Sequence, residues 1–202
     1  LPLSRGLGDV YKRQPYNFVF LNFLSLPTLL YILINYTHKK IISFFVGWVF
    51  GFGYFISNLY WITNSLTFDV NFKLIIPFAL ILIPLFLGIF YGLVTFLSSL
   101  FNLKNKLSSV LIFSIFFGGI EFLRSFILGG FPWNLLVFSV SNNLPSLQIL
   151  SYVGTYSLNL LSITIFLLPI IFFRKYKSPA AVIFFCFGLI LIVINYSYGY
   201  FS

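Results

Sequence analysis

Long apolar runs separated by short polar clusters dominate the chain. Residues 14–37 carry no charged side chain, and the next charge-free run covers residues 41–68. A helix needs about 20 apolar residues to cross the hydrocarbon core of a bilayer, so each run is long enough. The pattern continues towards the C-terminus. It predicts membrane-spanning helices at residues 16–36, 41–65, 74–101, 107–128, 147–173 and 180–198.

Composition agrees with this pattern. Hydrophobic residues make up 60% of the 202 residues, and charged residues make up only 7%. A soluble domain is closer to a quarter charged. The predicted fold class is therefore all-α, a polytopic transmembrane helix bundle that occupies residues 15–202 as one domain of about six helices.

The first fourteen residues, LPLSRGLGDVYKRQ, do not share this pattern. They are polar and basic, and they meet the apolar sequence abruptly at Pro15. They also lack the apolar core of a signal peptide. We expect residues 1–14 to be a non-native leader, because they resemble a stretch found at the ends of many translated environmental fragments; a genuine basic tail is the alternative.

The net charge of +9 is arranged as topology signals rather than as a nucleic-acid site. The cations form clusters at residues 39–40, 104–106 and 174–177, which fall on one side of the six-helix arrangement. The positive-inside rule places that side in the cytoplasm. The opposite face is then predicted to hold the 66–73 loop, the 129–146 loop and the C-terminus.

The same arrangement places the N-terminus outside as well. This conflicts with the three cations of the first fourteen residues, Arg5, Lys12 and Arg13. A foreign leader, with a native helix missing before Pro15, would remove the conflict.

The segment EFLRSFILGGFPW, residues 121–133, carries the paired charges of the apolar region. Glu121 and Arg124 are spaced i, i+3 and share one helix face. Counted from Lys106 at 1.5 Å per residue, they lie roughly 22 and 27 Å into a core about 30 Å thick, near the outer boundary. They are either a structural ion pair that holds helix ends together or a polar anchor beside a substrate entrance.

Two groups of aromatic residues are predicted near the same boundary. Gly129 and Gly130 can end the helix, and Phe131, Pro132 and Trp133 open the 129–146 loop, which we expect to contain an interfacial piece. They form either an aromatic belt or one edge of an outer cavity. Tyr60 and Trp61 come at the outward end of the second helix and allow the same two interpretations.

The second helix also contains a glycine pattern. Gly47 and Gly51 form a small-xxx-small step, and Gly53 adds a further small position. Such spacing favours close helix packing in membranes.

No residues suited to catalysis or metal binding stand out. Cys186 has no neighbouring base or cation in sequence to activate its thiol, and His38 beside two lysines is typical of a headgroup-level loop. With three acidic residues in the chain, neither a carboxylate pair nor a metal cluster is expected, and no cofactor is predicted.

Four segments resemble bacterial apolipoprotein N-acyltransferases. EFLRSFILGGFPW is similar to that family's E-x-L-R segment followed by G-F-P-W. GWVFGFGYFISNLYWITNSL, SYVGTYSLNLLSI and PYNFVFLNFLSLP are similar to other family segments and occur in the same order. The resemblance extends from about Pro15 to the C-terminus.

The resemblance implies an inner-membrane enzyme with eight helices and a periplasmic nitrilase-like domain. Such enzymes move an acyl chain from a phospholipid, through a cysteine thioester, to the N-terminal amino group of diacylglyceryl-lipoproteins, using a Glu-Lys-Cys triad. No position here matches the triad, so we expect helices two to seven of the family, inactive alone. Phospholipid, lipoprotein and membrane lipids are the expected partners, and nucleic acid is not.

Within that resemblance, Phe131, Pro132, Trp133, Tyr60 and Trp61 are suited to the rim of a lipid entrance. Arg124, paired with Glu121, is suited to meeting a lipid phosphate.

Two other classes stay open, a small transporter or channel and a structural membrane protein. Transporters usually show broken helices and polar groups near mid-membrane. Pro77 and Pro84, predicted to kink the third helix, are the only hint of that kind.

Overall fold

The computed structural model describes residues 19–59, 75–103, 107–127, 129, 134–140, 149–170 and 179–201. Across these ranges the regular structure is helical and contains no strand, which confirms the predicted all-α bundle. The helices are α1 (Val19–Asn35), α2 (Lys40–Leu59), α3 (Ile76–Ser99), α4 (Leu107–Ile127), a 3-10 helix (Leu136–Val140), α5 (Leu150–Val153), α6 (Thr155–Leu167) and α7 (Pro179–Phe201). The leader prediction for residues 1–14 falls outside the described residues.

Four of these helices are long and apolar enough to cross a membrane: α2, α3, α4 and residues 182–200 of α7. Helices α1 and α6 are apolar but shorter, with 17 and 13 described residues. Many large apolar side chains of α2, α3, α4 and α7 are exposed, which suits a protein whose surroundings are hydrocarbon rather than water.

The predicted helix over residues 147–173 is not continuous. Gly154, at a φ of +78°, separates the short α5 from α6. Glycine reaches this left-handed region without the steric cost that a Cβ would impose. An uncharged run shows that a segment is apolar, but it does not show where the helix inside that segment breaks.

The third helix also begins differently from the prediction. Ile75 precedes its first residue, and Pro77 lies in the first turn. A proline is tolerated there because the first N–H groups of a helix have no intrahelical partner. Pro77 therefore helps to start α3 and does not kink it, whereas Pro84 lies inside the helix and is buried.

Helices α2 and α3 pack along a seam of small residues. A Cβ on Gly51 would lie 2.9 Å from the Cα of Gly88, and a Cβ on Gly47 would lie 2.5 Å from the carbonyl oxygen of Tyr91. The close approach lets the Thr95 hydroxyl donate across the seam to the Ser43 carbonyl at 2.7 Å. The predicted packing role of Gly47 and Gly51 is confirmed.

Gly53 does not share that role. A Cβ built on it would meet nothing within 4 Å, and the residue is exposed. It lies two residues beyond Gly51, so it points to a different face of α2.

An aromatic core lies next to this seam. The fully buried Tyr91 ring lies 4.7 Å from the Phe117 ring and 5.0 Å from the Phe55 ring, measured between centroids. These three residues come from α3, α4 and α2. The core therefore locks three helices together directly beside the buried carboxylate of α4.

Candidate functional site

The Glu121 carboxylate is the centre of a buried polar cluster. Its side chain is completely buried near the C-terminal end of α4. The Tyr91 hydroxyl donates to Oε1 at 3.1 Å, and the Asn159 amide donates to Oε2 at 2.5 Å. The backbone N–H of Leu136 also lies near the carboxylate. These partners come from α3, α6 and the 3-10 helix, so one acidic side chain joins several separate elements.

Arg124 supplies the opposite charge. Its Nη2 lies 3.8 Å from Glu121 Oε1, one turn along the same helix face. The guanidinium carbon also lies 5.2 Å from the centroid of the Phe55 ring, within range of a cation–π interaction. Only 4% of the Arg124 side chain is exposed, so the pair is enclosed by protein.

Asn159 links this pair to the chain that follows α4. Its Nδ2 donates to Glu121, while its Oδ1 accepts the backbone N–H of Val137 at 3.0 Å. Backbone outside a regular α-helix is tolerated at membrane depth only where protein or water satisfies its polar groups. Asn159 and Glu121 provide such partners for the start of the 3-10 helix.

The 3-10 helix accordingly begins inside the bundle. Leu135, Leu136 and Val137 are each no more than 1% exposed. We predicted an interfacial piece within residues 129–146, but this part of it is covered by protein. The depth of this piece in the membrane stays a prediction.

A second polar contact joins α4 to α6. The hydroxyl oxygens of Ser125 and Tyr156 lie 2.6 Å apart. The Tyr156 ring also packs edge-on against Phe122, with centroids 4.9 Å apart. Ser125 and Glu121 both face α6, so the contacts reinforce one helix pair.

The sequence predicted part of this site. Glu121 and Arg124 form the expected i, i+3 ion pair. Gly129, at a φ of +84°, follows the end of α4 as expected of a glycine that ends a helix. The remaining candidates, Phe131, Pro132, Trp133, Tyr60 and Trp61, lie outside the described residues.

Sequence reasoning missed Tyr91 and Asn159. Both are hydrogen-bonding side chains in uncharged helices, which is itself a signal because such groups need partners in a membrane. The segment SYVGTYSLNLLSI contains Asn159, but the pattern alone did not distinguish it from the other polar residues there.

The arrangement is suited to holding neighbouring elements in place. The contacts of Glu121 just described are all with protein groups. Cys186 lies exposed on α7, and within the described ranges no group of three metal-ligating side chains occurs. The cluster can fix the position of the 3-10 helix relative to α4 and α6.

Comparison with known proteins identifies the family to which this chain is similar. The apolipoprotein N-acyltransferase N-terminal domain matches residues 6–168. The apolipoprotein N-acyltransferase of Rhizobium rhizogenes is 26% identical over 212 residues, covering 100% of this chain and 39% of the relative. That of Brucella melitensis is 30% identical over 173 residues, covering 81% of this chain and 32% of the relative.

A third relative, from Allorhizobium ampelinum, bears the same name and is 33% identical over 128 residues, covering 63% of this chain and 24% of the relative. The chain thus spans less than two fifths of the length of these relatives. Because the family match covers most of the chain and falls on an apolar helical bundle, this protein belongs to the apolipoprotein N-acyltransferase family, in its N-terminal membrane domain.

Proposed function

We propose that this chain is the membrane module of an enzyme that transfers an acyl chain from a phospholipid to the N-terminal amino group of diacylglyceryl-lipoproteins. The family match over residues 6–168 carries the proposal. In the proposed arrangement the module delivers two lipid-tethered substrates, the phospholipid donor and the lipoprotein acceptor. In this proposal the transfer chemistry belongs to another part of the full-length enzyme.

The polar cluster has a specific task in this proposal. Glu121 and Asn159 hold the start of the 3-10 helix, and residues 131–133 come directly before that segment. Phe131, Pro132 and Trp133 would then form one edge of a lipid entrance, with Tyr60 and Trp61 on another edge. Arg124 is buried against Phe55, so we propose that it positions this rim together with Glu121 and does not itself bind a lipid phosphate.

We further propose a location in the bacterial inner membrane. The loops at residues 66–73 and 129–146 would face the periplasm, as the distribution of lysine and arginine favours. This orientation would bring the proposed rim to the leaflet where lipoproteins await acylation.

A chimera tests the proposal. This chain would replace the corresponding region of the Rhizobium rhizogenes relative, in cells depleted of their own enzyme. Mass spectrometry of a lipoprotein N-terminus then measures acylation. We expect the chimera to restore it, and we expect Trp133→Ala to reduce it strongly while Phe187→Ala, at an exposed site on α7, does not.

A chimera that inserts into the membrane but leaves lipoproteins unacylated, beside an active unmodified relative, would contradict the proposed module. Equal activity of the Trp133→Ala and Phe187→Ala chimeras would contradict the proposed rim of the lipid entrance and would leave the proposed module unaffected.

A small transporter is the second candidate, and the break at Gly154 favours it, since transporters often use interrupted helices around a substrate. The ends of such helices normally face the substrate, whereas Glu121 here contacts neighbouring protein groups. Restored acylation by the chimera would favour the acyltransferase module over this alternative.

A further inference from the structure

An apolar groove of about 780 Å³ lies between α1 and α2, and its lining residues do not include those of the polar cluster. Helix α1 packs against α6 through Phe23 and Phe166, whose rings lie 4.9 Å apart. This leaves the face of α1 that carries Leu21 and Leu24 more than half exposed at the groove. The opposite wall is formed by Ile42, Phe45 and Val49 of α2, and all three are also exposed.

The groove has almost no polar chemistry of its own. Among the described residues that line it, Ser25 and Thr28 are the polar ones, and the Thr28 hydroxyl already donates to the Leu24 carbonyl at 2.6 Å. Its walls consist mainly of bulky leucine, isoleucine, valine and phenylalanine side chains. A close-packing transmembrane helix would instead favour small residues, like those between α2 and α3.

The length of the groove distinguishes an acyl chain from a helix. Along α1 it extends from Leu21 to Ile32, which is about 17 Å at 1.5 Å per residue. Along α2 it extends from Ile42 to Phe50, about 12 Å. One leaflet contributes about 15 Å of hydrocarbon, half of a core about 30 Å thick. The groove therefore matches the depth of one leaflet, whereas a transmembrane helix would need a surface twice as long.

One end of the groove is basic. Ile32 and Ile42 lie on either side of the turn between α1 and α2, and this turn carries Lys39 followed by Lys40 at the start of α2. Both lysines are exposed. Cations at the membrane surface attract anionic lipid headgroups, each contributing about 1 kcal/mol. A lipid whose headgroup lies at this turn could place its acyl chain in the groove.

From this combination we propose that the α1–α2 groove is a binding site for an anionic phospholipid, such as phosphatidylglycerol, with an acyl chain in the groove and its phosphate at Lys39 and Lys40. By the positive-inside rule this is a lipid of the cytoplasmic leaflet. It is thus separate from the acyl donor proposed for the opposite face. Lipid binding at this site does not depend on acyl transfer. A result that contradicts the lipid site can therefore be distinguished from one that contradicts the proposed acyltransferase function.

The test measures retained lipid on the purified chain. The chain in detergent is mixed with equal amounts of phosphatidylglycerol and phosphatidylethanolamine of matched chain length, and native mass spectrometry counts the lipids that stay bound. We expect phosphatidylglycerol to dominate. Replacing both lysines, as Lys39→Gln with Lys40→Gln, should weaken its binding by roughly tenfold to thirtyfold, as loss of about 1 kcal/mol per cation implies.

Two controls separate a specific site from general charge and general hydrophobicity. Lys104→Gln with Lys106→Gln removes the same charge from another pair of lysines in the sequence and should leave retention unchanged. Val49→Trp fills the groove and should reduce retention of both lipids, whereas Ile115→Trp, at a similarly exposed position on α4, should not. Circular dichroism before lipid addition checks that each variant keeps its helices.

Equal retention of the two lipids by the unmodified chain would overturn the proposal, as would equal effects of the two lysine pairs. Unchanged retention in Val49→Trp would show that the acyl chain lies elsewhere and would also overturn it.

Discussion

At the scale of single residues, Asn159 of α6 connects two other elements, α4 and the 3-10 helix. It uses both atoms of its amide, donating to Glu121 and accepting from the Val137 backbone. Removing it would leave a buried carboxylate oxygen and a buried backbone N–H each without one partner. Unsatisfied groups of this kind are costly in a dry environment.

We therefore expect Asn159→Ala to lower the free energy of unfolding by about 1–3 kcal/mol, measured by titration from mild detergent into a denaturing one. Asn58→Ala is the matched control, because the hydrogen bond that Asn58 makes within the described residues is to the Tyr54 carbonyl of its own helix, at 2.7 Å. The control should change stability by much less. Similar losses in the two variants would mean that Asn159 does not hold the 3-10 helix.

At the scale of elements, the packing of α2 against α3 depends on which glycines of α2 face its neighbour. Gly51 and Gly53 are two residues apart in one apolar helix, yet only Gly51 faces a neighbouring backbone. Substitution by alanine should improve helix propensity by up to about 1 kcal/mol at either site. The difference between the two sites therefore isolates the contact with α3.

Gly51→Ala should destabilise the protein by about 1–3 kcal/mol, since its Cβ would lie 2.9 Å from the Cα of Gly88 and backbone cannot move aside cheaply. Gly53→Ala should be neutral or slightly stabilising, because nothing lies within 4 Å of the added atom. The same detergent titration measures both variants. A Gly53→Ala variant that is as unstable as Gly51→Ala would contradict the observed orientation of α2.

The helices themselves were predictable, because a charge-free run of sufficient length has few alternatives in a membrane. The break at Gly154 was not, because a glycine in an apolar helix can equally serve packing, as Gly47 does. The polar cluster was only half predictable. Glu121 and Arg124 are neighbours in sequence, but Tyr91 and Asn159 lie 30 and 38 positions from Glu121, and only the packed helices bring them together.

For the molecule as a whole, orientation in the membrane follows from the distribution of basic residues and stays a prediction. The single cysteine makes it directly testable. In a Cys186→Ser background, Asn143→Cys places a thiol in the 129–146 loop, and Asn105→Cys places one between Lys104 and Lys106. A membrane-impermeant maleimide added to intact spheroplasts should label the first thiol and not the second.

Permeabilised cells serve as the control, since both thiols should then react. Labelling of Asn105→Cys in intact spheroplasts would reverse the proposed orientation and, with it, the leaflet assigned to the lipid groove.

The Glu121–Arg124 pair also bears on how the protein is made. Residues of the chain enter the membrane in order, and Asn159 is synthesised 38 positions after Glu121. A lone carboxylate would be costly in hydrocarbon during that interval. Helix α4 instead carries its own counter-charge one turn away. Helix α4 can therefore enter the bilayer with its two charges paired. The hydrogen bond from Asn159 to Glu121 forms later, when α6 has been inserted.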